Sequence, residues 1–156
     1  MTRTAEGDAL TALVLPAFEL NGEFLAAAHD IATPHGLTPA WWQVLGGVLD
    51  QPRSVAEIGR RMGITRQGVQ RVADLLVERG LAEYRPNPAH RRAKLLACTQ
   101  AGHWAIRRIT VEQRPWADRI GADVGAEDLR TVLATMRTLI AVLEADRPTD
   151  DETRSA

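Results

Sequence analysis

Apolar side chains recur along most of this chain at helical spacing. Leu10, Leu13, Val14, Phe18, Phe24, Leu25, Ala28 and Ile31 fall three or four residues apart and predict a first helix over roughly residues 8 to 32. Pro16 lies inside that pattern, where it either starts the main helix after a lead-in turn or kinks it. Pro34 and Gly36 end the segment. Thr38 then offers a helix cap and Pro39 suits a first helical position, where its missing N–H costs nothing. The second helix should continue through WWQVLGGVLD and stop before Pro52.

Three short elements follow in quick succession. Ser54 and Glu57 form a capping box for a third helix with Val55, Ile58 and Met62 inward, closed by Gly63 in a left-handed turn. Thr65 caps a fourth helix that reaches about Arg79. Val69, Val72, Ala73 and Leu76 line one side of it, leaving Arg66, Gln67, Gln70, Arg71 and Asp74 on the other. After Gly80 the period shortens to two: LAEYRP reads as a strand, NPAHR as a loop and RAKLLAC as the returning strand. Thr99 starts a fifth helix through about Arg114, which Pro115 kinks or interrupts, and a sixth spans about 126 to 145. The closing residues RPTDDETRSA are polar and expected to fray.

The predicted fold is therefore mainly α with a small β-wing. A winged helix-turn-helix occupies residues 37–98, a shape whose second helix fits the major groove of B-DNA. Residues 8–34 and 99–146 form a helical region flanking it, and 147–156 a polar tail. The end helices carry more apolar surface than the compact module can cover. Packing against each other and against a second copy would cover it, which predicts a homodimer.

Charge distribution sharpens this picture. The net charge is only −1. Between Arg53 and Lys94, however, ten basic residues face four acidic ones, a net of +6, while the remaining nine basic and sixteen acidic residues give −7. A cationic module in an acidic body points to a local polyanion contact, and most of its cations are Arg, suited to phosphate and guanine. With 45% hydrophobic residues the chain can build a core. No apolar run comes near 18 residues and the N-terminus lacks a basic-then-apolar leader, so a cytoplasmic protein without a membrane span is expected. The lone Cys98 fits a reducing compartment, and its place at a strand end suggests a buried, inert thiol. No G-x-S-x-G, phosphate-cradling Gly loop or nucleophile beside a His occurs, so no enzyme is expected. His29, His35 and His103 are too scattered for a metal site, and no cofactor motif is present.

The stretch GLTPAWWQVLGGVLDQPRSVAEIGRRMGITRQGVQRVADLLVERGLAEYRPNPAHRRAKLLACTQAG, residues 36 to 102, resembles the MarR family of bacterial transcriptional regulators. Within it, MGITRQGVQRVADLLVERGL is similar to the family's recognition helix, and NPAHRRAKLLACTQAG to its wing, returning strand and next helix start. The resemblance implies a dimeric regulator, usually a repressor, that binds a pseudo-palindrome. It also implies release of DNA when a small, often aromatic, molecule enters a cleft between the dimer helices and the DNA-binding lobe. The chain departs from the family's pattern in the wing, where Asn87 and His90 stand in place of a common Asp. Gly68 stands where Ser or Thr often meets phosphate. Peroxide-sensing members carry a reactive cysteine near the start of the first long helix, and this chain has none there.

The candidate DNA contacts are Arg66, Gln67, Gln70 and Arg71, near the start of the fourth helix. Gln suits adenine and Arg guanine, and which of the four meet bases rather than phosphates is open. Arg91 is the candidate wing-tip residue for the minor groove; of His90 and Arg92, strand alternation should send one inward. Ser54 and Thr65 can donate to phosphate as well as cap. Phe18, His29, Trp41, Trp42 and Trp104 are candidates for an aromatic effector cleft, with one of the adjacent tryptophans in the core and the other facing the cleft. The competing reading is a winged-helix module used for protein–protein contact, which would need no cationic recognition face.

Overall fold

A computed structural model describes residues 4–147. The polar tail expected at 147–156 lies, apart from Arg147, outside the described residues. The chain divides into two compact units, residues 1–113 and 114–156.

The first unit opens with α1, Ala5–Ala32, capped by Thr4, whose Oγ1 accepts from the Gly7 N–H at 3.1 Å. Pro16 neither starts nor ends this helix, which is helical on both sides of it. A 3-10 turn, Thr33–His35, and the left-handed Gly36 lead into α2, Pro39–Gly46, capped by Thr38. Strand β1 is only Arg53–Ser54 and leads directly into α3, Val55–Met62. Gly63 closes α3 at φ +65°, a backbone conformation that a side chain would strain. Next comes α4, Arg66–Glu78, then β2, Ala82–Arg85, and β3, Leu95–Cys98. The sheet has the order β1-β3-β2, all antiparallel, with Arg53 opposite Leu96 and Ala82 opposite Cys98. Strand β1 is absent from the sequence expectation, because two residues are too few for a period to show.

The core of this unit is one cluster. Val44, Leu45, Ile58, Val69, Ala73, Leu76, Leu96 and Ile109 are fully buried, with Trp41 and Ile106 nearly so. Each of these Val, Leu and Ile side chains contributes about 1.5–3 kcal/mol by leaving water. Of the adjacent tryptophans, Trp41 is the core residue and Trp42 is half-buried. Cys98 is buried too, and burial pushes its thiol pKa up, as expected of an inert cysteine.

Helix α5, Gln100–Val124, runs through Pro115 instead of ending near Arg114, a correction to the sequence expectation. Its residues 114–124 belong to the second unit, together with α6, Ala126–Ala145. Gly125, at φ +95°, turns the chain between them.

The apolar end helices keep many large side chains exposed. On α1, Leu13, Leu15, Phe18 and Phe24 are exposed; in the second unit Ile120, Val132, Leu133, Ile140 and Leu143 are exposed. The expectation of no span-length apolar segment also needs correction. Residues 5–35 contain an 18-residue window of mean hydropathy 1.3, long and apolar enough by length and composition to cross a membrane. The acidic Glu19 and Glu23 break the letter-by-letter run but leave the average high.

Two local devices hold β3 and β1 in place. Thr99 Oγ1 accepts from the Gly102 N–H at 3.1 Å and donates to the Gly80 carbonyl at 2.7 Å, fastening the start of α5 to the end of α4. A methyl group on Gly102 would run into the Leu81 carbonyl and stand 2.7 Å from Cys98 Sγ. Arg53 is the second device. Its side chain is 4% exposed and donates to the Gly47 carbonyl at 2.7 Å and to both carboxylate oxygens of Asp50, Nη2 to Oδ2 at 2.8 Å. Its Nε sits 3.5 Å from Glu57 Oε1, an ion-pair distance without hydrogen-bond geometry. The guanidinium holds the Asp50 carboxyl well below the usual carboxylate range.

Gly102→Ala is expected to cost about 3 kcal/mol by overpacking against backbone. Gly22→Ala, in a helix interior where a methyl group meets nothing, should gain up to about 1 kcal/mol. Urea denaturation of both measures the contrast. The Asp50 pKa is lowered on folding, so its stabilisation is complete above about pH 4 and fades as pH falls below that, towards the folded pKa. In Asp50→Asn the dependence of denaturation midpoint on pH below 4 should be shallower than in the parent chain.

Candidate nucleic-acid interface

Helix α4 is gripped from one side. Val69, Val72, Ala73 and Leu76 face the core, and Arg66, Gln67, Gln70 and Arg71 on the opposite side are all exposed. The helix starts at Thr65, whose Oγ1 accepts from the Gly68 N–H at 3.1 Å. Thr65 is exposed while capping, so its hydroxyl remains open to a further partner. A Cβ on Gly68 would stand 3.0 Å from that same Oγ1, so a larger residue there would crowd the cap. Ser54 is half-buried and its Oγ accepts from the Glu57 N–H at 3.2 Å, so its observed role is the cap of α3. The reciprocal half of the expected capping box gives way to an ion pair, with Glu57 turned to Arg53.

The wing is the loop between β2 and β3. Asn87 folds it locally, its Oδ1 accepting from the Ala89 N–H at 3.0 Å, and the Ala93 N–H donates to the His90 carbonyl at 3.2 Å. His90, Arg91 and Arg92 are all exposed. The expectation that one of His90 and Arg92 turns inward is wrong. Alternation requires strand over RAKLLAC, and the strand begins only at Leu95, so none acts on the loop.

The cationic count also changes. Arg53 is internal, spent on Asp50 and the Gly47 carbonyl. Arg85 pairs with Glu83, its Nη2 2.6 Å from Glu83 Oε1. Arg79 lies over the Trp41 ring, its guanidinium carbon 5.2 Å from the ring centroid. Lys94 lies likewise over the Tyr84 ring, 5.8 Å from its centroid, and the exposed cations of the module with neither an ion pair nor a ring contact are Arg60, Arg61, Arg66, Arg71, Arg91 and Arg92.

One cluster escaped the sequence reading. Gln70 Nε2 donates to Asp74 Oδ1 at 2.9 Å and to the Tyr84 hydroxyl oxygen at 2.8 Å, and the Tyr84 hydroxyl donates to Asp74 Oδ1 at 2.6 Å. The recognition-face glutamine is thus tied to the wing strand. Burial first, and the hydrogen bond to Asp74 second, push the Tyr84 phenol up to about 12. Gln70 and Asp74 stand one helical turn apart, a spacing visible in the sequence; the arrival of Tyr84 from β2 is not.

The aromatic candidates are dispersed. Trp41 borders a cavity of about 250 Å³ with His35, Leu37, Arg79, Leu81 and Arg108. Trp104 borders a separate groove with Gln100, His103 and Arg107. Phe18 and His29 are exposed on α1; the His29 carbonyl accepts from the Thr33 hydroxyl at 2.6 Å. Among the described residues no three His, Cys, Asp or Glu side chains gather as metal ligands.

Comparison with known proteins agrees with this architecture. Residues 35–93 match the model of the MarR family. An uncharacterised protein of Mycobacterium tuberculosis (strain ATCC 25618 / H37Rv) is 39% identical over 141 residues, covering 90% of this chain and 99% of that protein. Among solved structures, a MarR-family transcriptional regulator from Rhodococcus sp. RHA1 superposes with a TM-score of 0.71 at 21% identity, covering 88% of this chain and 96% of that one. CouR from Rhodococcus jostii RHA1, bound to p-coumaroyl-CoA, superposes with a TM-score of 0.66 at 22% identity, covering 85% and 91%. At those identities the structures testify to the fold, the mainly helical winged helix-turn-helix of transcription regulators. With the family match spanning the helix-turn-helix and wing, and a relative similar along nearly its whole length, the chain belongs to the MarR family.

Proposed function

We propose that the protein is a homodimeric, sequence-specific DNA-binding transcription regulator that represses from a pseudo-palindromic operator. The observation that carries this is the exposed polar face of α4 flanked by the exposed wing arginines, in one compact unit. Arg66, Gln67, Gln70 and Arg71 enter the major groove, and Arg91, with His90 and Arg92 beside it, reaches the minor groove or its phosphates. Thr65, and more weakly Ser54, adds a hydroxyl at a helix start, where anions are favoured. No described feature favours an enzyme or a purely protein-binding winged helix.

The dimer is supported by the exposed apolar residues of α1 and α6. Burying them against a second copy accounts for an α1 of membrane-spanning hydropathy in a cytoplasmic protein. The dimerisation region comprises residues 8–34 and 99–146, around the DNA-binding module at 37–98. Two recognition helices about 34 Å apart then meet successive major grooves. A small aromatic effector that prefers another separation would empty the operator by population shift. Phe18, His29, Trp41, Trp42 and Trp104 remain the candidates to receive it. The cavity beside Trp41 adds three basic side chains, His35, Arg79 and Arg108, which favour an effector bearing an acidic group.

Arg66→Ala and Arg91→Ala should each weaken operator binding roughly tenfold without lowering the melting temperature. Arg91→Ala should also reduce the slope of log affinity against log salt by about 1. Electrophoretic mobility-shift titrations at several salt concentrations, with matched melts, check this; full affinity in both variants would overturn the assignment. Sedimentation equilibrium at micromolar concentration should return twice the chain mass of 17.1 kDa, and a monomer would contradict the dimer.

A further inference from the structure

We infer that Asp74 and Tyr84 fix the orientation of the Gln70 side-chain amide, so that Gln70 presents a carbonyl oxygen to the groove and selects a base carrying an exocyclic amino group. The inference rests on the DNA-binding reading above and adds to it a rule of specificity.

A glutamine on a recognition face is ordinarily ambiguous. Its amide has an acceptor oxygen and a donor nitrogen on one planar group, and a half-turn about its last bond exchanges them. Free to turn, it meets amino and keto bases alike. Here it is not free. Asp74 lies one helical turn on, and a carboxylate has no proton to offer, so it tolerates only the nitrogen end of the amide. Nε2 accordingly lies 2.9 Å from Asp74 Oδ1. Tyr84 completes the clamp from β2: its oxygen accepts from the same Nε2 at 2.8 Å, while its own proton goes to Asp74 Oδ1 at 2.6 Å. A turned amide would set Oε1 against Asp74 Oδ1, two acceptors at hydrogen-bond distance. The phenol stays protonated through the physiological range, so the ring of three bonds persists.

With the nitrogen held against Asp74 and Tyr84, the carbonyl oxygen is the end left for the groove. In the major groove an acceptor finds its partner in the amino group of adenine N6 or cytosine N4, and meets repulsion at guanine O6 or thymine O4. Asp74 and Tyr84 are positioning residues in this scheme. Neither has to touch DNA, and their effect is on which base is chosen.

The test is selection of binding sites from random duplexes, followed by measured affinities for single-base variants. Gln70→Ala marks the relevant base pair as the one whose preference disappears. At that pair the parent chain should favour an amino base over a keto base on the contacted strand by about tenfold. Asp74→Asn keeps the shape but supplies an NH2 donor, so the amide can turn; discrimination should then fall to about twofold or invert. Tyr84→Phe, which keeps Asp74, should fall between. Thermal melts confirm that the variants are folded. Loss of a negative charge in Asp74→Asn raises affinity for all duplexes together, which a ratio between bases does not register. Equal binding of amino and keto bases by the parent chain overturns the inference, as does unchanged discrimination in Asp74→Asn. Failure to select any site is a different result, and refutes the DNA-binding reading itself.

Discussion

Everything at the candidate interface depends on α4 being held by its back. Val69, Val72, Ala73 and Leu76 form one stripe, buried in the core where α4 packs on α2, α3 and β2. A thirteen-residue helix is marginal in water, so this burial, with the Thr65 cap, is what keeps it helical. Because the grip uses only one stripe, the other is free to carry Arg and Gln at no cost to the core. The exposed arginines therefore take their direction from the packed stripe.

The parts legible in the sequence are those fixed by short-range rules. Thr38, Thr65 and Thr99 cap helices as their place in the sequence implies, and Gly63 adopts the left-handed turn that its missing side chain permits. The buried stripe of α4 follows from its three- and four-residue spacing. The failures share a different cause. Helix α5 runs on past Pro115 to Val124, where the loss of one hydrogen bond is small beside the many that remain. Strand β1 exists only because β3 pairs with it. Arg53 counted as a surface cation until tertiary packing buried it against Asp50. The Gln70 cluster required a tyrosine from a strand fourteen residues away.

The end helices show the opposite economy. Their apolar spacing is plain in the sequence, yet within one chain it buys little burial: α1 keeps only Ala32 fully inside, and α6 buries no residue. A segment of this hydropathy is stable in water only when something covers it. Acidic residues at Glu19 and Glu23 weigh against a lipid interior, where each would be costly. A second protein surface imposes no such penalty on residues that can sit at its rim. Such an amphipathic face is better matched to a protein surface than to lipid, in keeping with the dimer proposed above.

Charge and hydrogen bonding then divide the work at the groove. An arginine on a long, exposed stem can reach phosphate wherever the backbone lies, and any contact of that kind is nearly independent of sequence. Sequence discrimination needs a group that cannot adapt, because a side chain that can re-aim will satisfy the wrong base as well as the right one. On this face Arg66 and Arg71 have no hydrogen-bond or ion-pair partner in the structure, whereas Gln70 is bound on two sides. The acidic Asp74 would be a liability on a surface meant for a polyanion if it stood alone. Accepting two hydrogen bonds disperses its charge and turns it into part of the scaffold that aims its neighbour.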